Sequence, residues 1–315
     1  TDGETLNIVY VDATKGWIPL DDDAVTDAPV APNTQKAIFA YGHDGSSIVS
    51  MSNLVNSSGV VATDVTGVGT ARSALGAASY GTDKAIFAYG EAGSVSSLSN
   101  LVNNSGVVAT DVTGVGTARY YLAAAGYGND KAIFGYGYSG GRLSMTNLAT
   151  NVGVVGTDVS GVGTTRYGLA AAGYGVGLAI FGYGLTVGDV NMTNLVSNVG
   201  VVTADVTGVG TARRYIAAAN YGTDKAIFAY GYVGGSVSMS NLVSNKGVVA
   251  TDVTGVGTAR QSLAGVGYGA DKAIFAYGLA GPVSISNLVS NVGVIATDVT
   301  GVGTARYDLG GAGYS

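Results

Sequence analysis

Residues 84–130 read KAIFAYGEAGSVSSLSNLVNNSGVVATDVTGVGTARYYLAAAGYGND, and residue 131 opens the same string again. On either side the pattern recurs: an apolar KAIF segment ending in Tyr-Gly, a variable loop, an Asn-Leu segment, TDVTGVGTAR, and an Ala/Gly run that closes on tyrosine. Arg72, Arg119, Arg166, Arg213, Arg260 and Arg306 mark six copies with a period of 47 residues, 46 in the last interval, and Tyr80, Tyr127, Tyr174, Tyr221, Tyr268 and Tyr314 close them. A repeat of this length built from strand-sized pieces points to a solenoid, an array or a ring of β-units, each of which buries its apolar face against the next.

The repeat occupies residues 33–315 and leaves a leader of residues 1–32. With 47% hydrophobic residues, 11% charged residues, 52 glycines and four prolines, the chain has ample material for a packed, turn-rich core and is not of disordered composition. The net charge of −6 resides in the leader, where Asp2, Glu4, Asp12, Asp21, Asp22, Asp23 and Asp27 face only Lys15. The repeats are neutral and lack the basic footprint of a nucleic-acid binder. Cysteine is absent, which removes disulfides, thiolate metal sites and cysteine nucleophiles. No apolar run approaches the ~18 residues of a membrane span, and the first residues show no signal-peptide pattern. A start on Thr1 rather than Met suggests a processed chain or a piece of a longer one.

Within each copy, KAIFAYG, VSMSNLV, GVVATDV and the RxxLAAAGYG segment are strand-length, rich in β-branched and aromatic residues, and separated by Gly, Ser, Asn and Asp clusters. The expectation is an all-β chain with four antiparallel strands per unit and a six-bladed β-propeller over 33–315, with the leader as a short N-terminal extension. The first copy opens at Lys36 without an Ala/Gly strand before it, and the last ends with a spare one, Tyr307 to Tyr314. The spare strand is expected to complete the first unit and latch the ring. Phe39, Phe87, Phe134, Phe181, Phe228 and Phe275 are all the phenylalanines of the chain and share one position, as expected of one buried aromatic per unit.

The order TAR, small-residue strand, KAIFAYG with its glycine turn, then NLV resembles the kelch repeat, with Tyr-Gly standing where kelch has a double glycine and Val or Thr where kelch has a late tryptophan. The leader segment LNIVYVDATKGWIPLDD resembles segments that close a stem or head module in bacteriophage tail-fibre and related virion proteins. Together these resemblances imply a structural and adhesive module of a virion appendage. Such a module is extracellular, joins other fibre subunits through the leader (possible homo-oligomers include a trimer), and contacts a host glycan or protein. A secreted bacterial surface propeller and a glycan hydrolase or lyase on the same scaffold are the alternatives.

Chemistry-bearing constellations are sparse. The only histidine, His43, adjoins Asp44, but no serine sits in a nucleophile elbow. The series Asp64, Asp111, Asp158, Asp205, Asp252 and Asp298 places one acid per copy, whereas a hard cation needs about six oxygens converging from closely spaced ligands. These aspartates are expected to cap turns or to pair with the arginine eight residues on. TGVGTAR lacks the lysine and helix of a phosphate loop. A second series, Asp83, Asp130, Asp224 and Asp271, precedes KAIF and does not converge either, and Glu91, Asp189 and Asp308 fall in different copies with no evident cluster. No cofactor, no metal and no catalytic activity are expected.

Function is sought where the copies disagree. The loop after KAIFxYG reads HDGSSI, EAGSV, YSGGRL, LTVGDV, YVGGSV and LAGPV in turn. The two residues after each anchor arginine read Ser73-Ala74, Tyr120-Tyr121, Tyr167-Gly168, Arg214-Tyr215, Gln261-Ser262 and Tyr307-Asp308. Strand order sends both places to one face. Tyr120, Tyr121, Tyr138, Tyr167, Tyr215, Tyr232 and Tyr307, with Arg142 and Arg214, fall in these slots and form the expected ligand-binding face, because Tyr and Arg are enriched at recognition hot spots.

Overall fold

The computed structural model describes residues 8–19 and 35–315, and the chain divides into two compact units, 1–33 and 34–315. In the first unit, β1 (Ile8–Asp12) and β2 (Gly16–Pro19) form an antiparallel hairpin. Its turn is tied by Asp12, whose carboxylate accepts from the Thr14 and Lys15 amides at 2.8 and 2.7 Å. Tyr10 and Trp17 meet edge to face at 5.4 Å and remain largely exposed. The acidic run Asp21, Asp22, Asp23 and Asp27 lies outside the described residues.

The second unit is all-β, with no helix among the described residues, and has a β-propeller-like architecture of small antiparallel sheets in repeated units. One edge strand of each sheet is the Ala/Gly segment: β5 (Gly76–Tyr80), β8 (Ala123–Tyr127), β11 (Ala170–Tyr174), β14 (Ala217–Tyr221), β17 (Ala264–Tyr268) and β20 (Gly310–Tyr314). The middle strand is the KAIF segment: β3 (Lys36–Ala40), β6 (Lys84–Ala88), β9 (Lys131–Tyr138), β12 (Leu178–Leu185), β15 (Lys225–Ala229) and β18 (Lys272–Ala276). The Asn-Leu segment supplies β4 (Ser52–Val55), β7 (Ser99–Val102), β10 (Arg142–Ala149), β13 (Asp189–Val196), β16 (Ser240–Val243) and β19 (Ser286–Val289). In five sheets the strands are consecutive in the chain. In the sixth, β20 pairs with β3, Gly310 opposite Ala40 and Tyr314 opposite Lys36.

Each copy therefore holds three strands rather than the four expected. The GVVATDV segment touches its neighbour only through two isolated bridges, such as Val196 to Val202 and Thr193 to Val206. The interval holds three steps on one side and four on the other, so the outer segment bulges. The side chain of Asn194 enters the gap and donates from Nδ2 to the Thr203 carbonyl and to Asp205 Oδ1, both at 3.0 Å. A side-chain amide thus stands in for ladder bonds.

Residues 37–40 of the first middle strand are buried without alternation, as in a strand covered on both faces. The core is accordingly divided among the interfaces between consecutive sheets. Ile38 and Ala40 meet Ala85 and Phe87 in one cluster; Phe39 meets Ile274 and Tyr277 in another. The small-residue strands pack side by side in the order β5, β8, β11, β14, β17 and β20, and β20 again touches β5. Alanine and glycine permit this crowding.

Candidate functional site

The anchor arginines are the frame on which the variable face is mounted. Arg166 is fully buried and donates from Nε to the Tyr183 carbonyl at 2.9 Å, from one terminal nitrogen to the Thr164 carbonyl at 3.1 Å, and from the other to Asn194 Oδ1 at 2.6 Å. Its guanidinium lies 4.2 Å from the ring centroid of Tyr136 in the preceding sheet. Asp205 accepts from the Thr164 hydroxyl at 2.6 Å and stands 3.9 Å from Arg166. Asp111, Asp205 and Asp252 thus serve the arginine 39 residues before them and Asp64 serves Arg306, instead of the one eight residues on, a correction that only the chain path reveals. Burial alone would raise these carboxyls. The Thr hydroxyl and amide, the Asn amide and the arginine charge together hold them below the usual carboxylate range.

Each arginine is followed by a residue that bridges the first position of the variable loop: Ser73 to Glu91, Tyr120 to Tyr138, Tyr167 to Leu185, Arg214 to Tyr232, Gln261 to Leu279 and Tyr307 to His43. The two variable slots of a copy are therefore backbone partners on one rim. The next residues, Ala74, Tyr121, Gly168, Tyr215, Ser262 and Asp308, all take left-handed φ between 51° and 63°. A non-glycine residue in that region costs about 1–2 kcal/mol. A chain of amide bonds offsets the strain: Tyr121 donates to Ala74, Gly168 to Tyr121, Tyr215 to Gly168, Ser262 to Tyr215, Asp308 to Ser262 and Ala74 to Asp308, at 2.7 to 2.9 Å. The chain of donors returns to its first member and frames a central pocket of about 120 Å³, lined by the same four positions of every copy.

Most of the residues proposed from sequence come together here. Tyr121 lies 5.1 Å from Tyr120, 5.1 Å from Tyr215 and 6.1 Å from Tyr167, ring centre to ring centre. Tyr138 contacts Tyr120 at 5.7 Å and Tyr167 at 5.4 Å. Arg214 is tied to Asp189 at 2.8 Å and lies over Tyr232 at 4.6 Å and Tyr215 at 5.6 Å. Tyr307 stands apart from the tyrosine group and stacks on His43 at 5.1 Å. Arg142 opens β10 opposite Tyr138.

Three of the acidic and basic residues that the sequence scatters over different copies also converge. Tyr121 donates its hydroxyl to Asp308 at 3.1 Å, and the charges of His43 and Glu91 act on the same carboxyl. Burial pushes Asp308 up to about 6, while Ser262, Tyr121 and His43 pull the other way. Burial likewise pushes Tyr215 up to about 12 and raises Tyr121 strongly, Asp308 adding to the latter. The signal available in the sequence was positional: Asp308 and Tyr121 hold the same slot of the repeat. Among the described residues, no group of three or more His, Asp or Glu is arranged to hold a metal ion.

No protein-family model matches the chain, and no curated protein matches it in sequence.

Proposed function

We propose that residues 33–315 form a six-bladed, kelch-like β-propeller closed by β20, and that this is a non-enzymatic binding module whose tyrosine-rich rim takes a host surface glycan or protein. The observation that carries the binding role is the continuous cluster of Tyr120, Tyr121, Tyr138, Tyr167 and Tyr215 with Arg214, on the one rim where otherwise near-identical copies differ. Half-buried, mutually packed tyrosines present rigid amphipathic area at little entropic expense. Support for the closed propeller comes from the β20–β3 pairing, the returning chain of amide bonds and the sharing of each core between two sheets.

The setting we propose is a phage virion appendage such as a tail fibre, outside the cell, with the leader joining neighbouring subunits. Support is the leader's resemblance and a hairpin whose Val9, Tyr10, Val11 and Trp17 are 38%, 50%, 43% and 66% exposed, the surface a subunit contact would cover.

The test is binding of the purified chain to bacterial cells and to a glycan array. Tyr120→Ser, Tyr138→Ser and Tyr167→Ser together are expected to leave the melting temperature near wild type and to weaken binding at least about tenfold. Tyr121 is left in place because it packs into the central mouth. Undiminished binding by the triple variant refutes the rim.

A further inference from the structure

We propose that the central mouth framed by Tyr121, Tyr215 and Asp308 is a binding site for an organic ammonium ion, the head of an aliphatic amine or a quaternary ammonium group. It names the ligand chemistry at the heart of the same face, and so rests on the reading of that face as a binding surface.

The polarity of the mouth selects a cation. All six amides that frame it are already donated to neighbouring carbonyls, so no ring of free N–H groups awaits an anion. What remains is acceptor-rich: the Asp308 carboxylate, on which the charges of His43 and Glu91 act with opposite sign, and tyrosine π-faces. Asp308 takes part in none of the ion pairs among the described residues. Arg214, the guanidinium nearest the tyrosines, is engaged by Asp189 and lies over Tyr232. A carboxylate beside aromatic rings and outside any ion pair is the arrangement that recognises ammonium groups, through charge and cation–π attraction together.

The shape agrees. Gly168 lies between Tyr121 and Tyr215 in the sequence of six, and a Cβ there would come 3.1 Å from the Tyr215 ring, so glycine lets the two aromatics close on each other. The wall is mixed, with the apolar Leu75, Ala77 and Leu122 among its residues. A pocket of about 120 Å³ admits a methylated or alkylated ammonium head. The burial that pushes Asp308 up is a penalty on its ionised form that a bound ammonium relieves.

The test is calorimetric titration of the full chain with tetramethylammonium and n-butylammonium chloride, with tert-butanol as an uncharged control of similar shape. Saturable binding of the ammonium ions in the millimolar range or tighter is expected, with none by tert-butanol. Asp308→Asn should weaken it at least about tenfold, and Tyr215→Leu several-fold, each variant first checked for an intact thermal transition. The second variant decides the matter should the first not fold. Absence of saturation up to about 50 mM, equal heat from tert-butanol, or unchanged affinity in the folded variants overturns the proposal. The two readings fail separately. Ammonium binding that is absent while the rim triple variant still loses cell binding removes the pocket alone. Ammonium binding that depends on Asp308 while the triple variant keeps full cell binding removes the rim alone.

Discussion

Asp298 and Asp308 are ten residues apart and carry the same side chain, yet their surroundings drive them in opposite directions. For Asp298, burial is outweighed by the Thr258 hydroxyl and amide, the Asn287 amide and the Arg260 charge. Its ionised form is favoured in the fold, so the stability it contributes is present above the unfolded carboxyl value, about 4, and is lost as pH falls through the lowered folded value. For Asp308, burial wins and sets it at about 6. Between about pH 4 and 6 the folded chain holds a proton that the unfolded chain has released, so this group makes the protein less stable as pH rises across that window. Asp308→Asn is therefore expected to stabilise the chain by up to about 3 kcal/mol at pH 7.5 and by almost nothing near pH 4. Urea melts at pH 4, 5, 6 and 7.5 measure the difference. A pH-independent difference contradicts the assignment.

The strands show how small residues tune one interface against another. Middle strands end KAIFA in four copies and AIFG in the two containing Gly135 and Gly182. A Cβ at either glycine would come 2.7 Å from the next sheet's phenylalanine, Phe181 or Phe228. In those interfaces the Tyr–Phe ring centres are closest, 5.2 Å for Tyr136–Phe181 and 5.1 Å for Tyr183–Phe228, against 5.4 Å for Tyr41–Phe87 and 5.6 Å for Tyr230–Phe275. Gly135→Ala is expected to cost about 1–3 kcal/mol by overpacking, although four copies carry alanine at that position. Equilibrium denaturation checks it; a neutral or stabilising change would mean that Phe181 withdraws freely. The six Phe positions were legible as core from their shared place in the repeat. The bulged outer segment was not, because its strand-like Val and Thr content says nothing of an asparagine on the neighbouring strand that takes over the pairing.

For the second unit as a whole the decisive contact is between its first and last strands. β20 covers one edge of β3 and packs between β17 and β5, so ending the chain after Leu309 would uncover that edge and remove Tyr314 from the cluster that holds Ile38 and Phe87. The truncation is expected to lower the melting temperature by more than about 10 °C, as scanning calorimetry would show, while leaving Arg306 and Asp308 in the chain. An unaltered transition counts against closure by β20. By itself the sequence determined the period, the strand-sized pieces, the all-β class and the two slots where copies differ. Those follow from local composition repeated six times, which no distant contact is needed to read. Only the tertiary structure decided that each aspartate serves an arginine of another copy, and that Tyr121 and Asp308 share one mouth. Both depend on which copy lies beside which in space, and near-identical copies leave no trace of that order in their own residues.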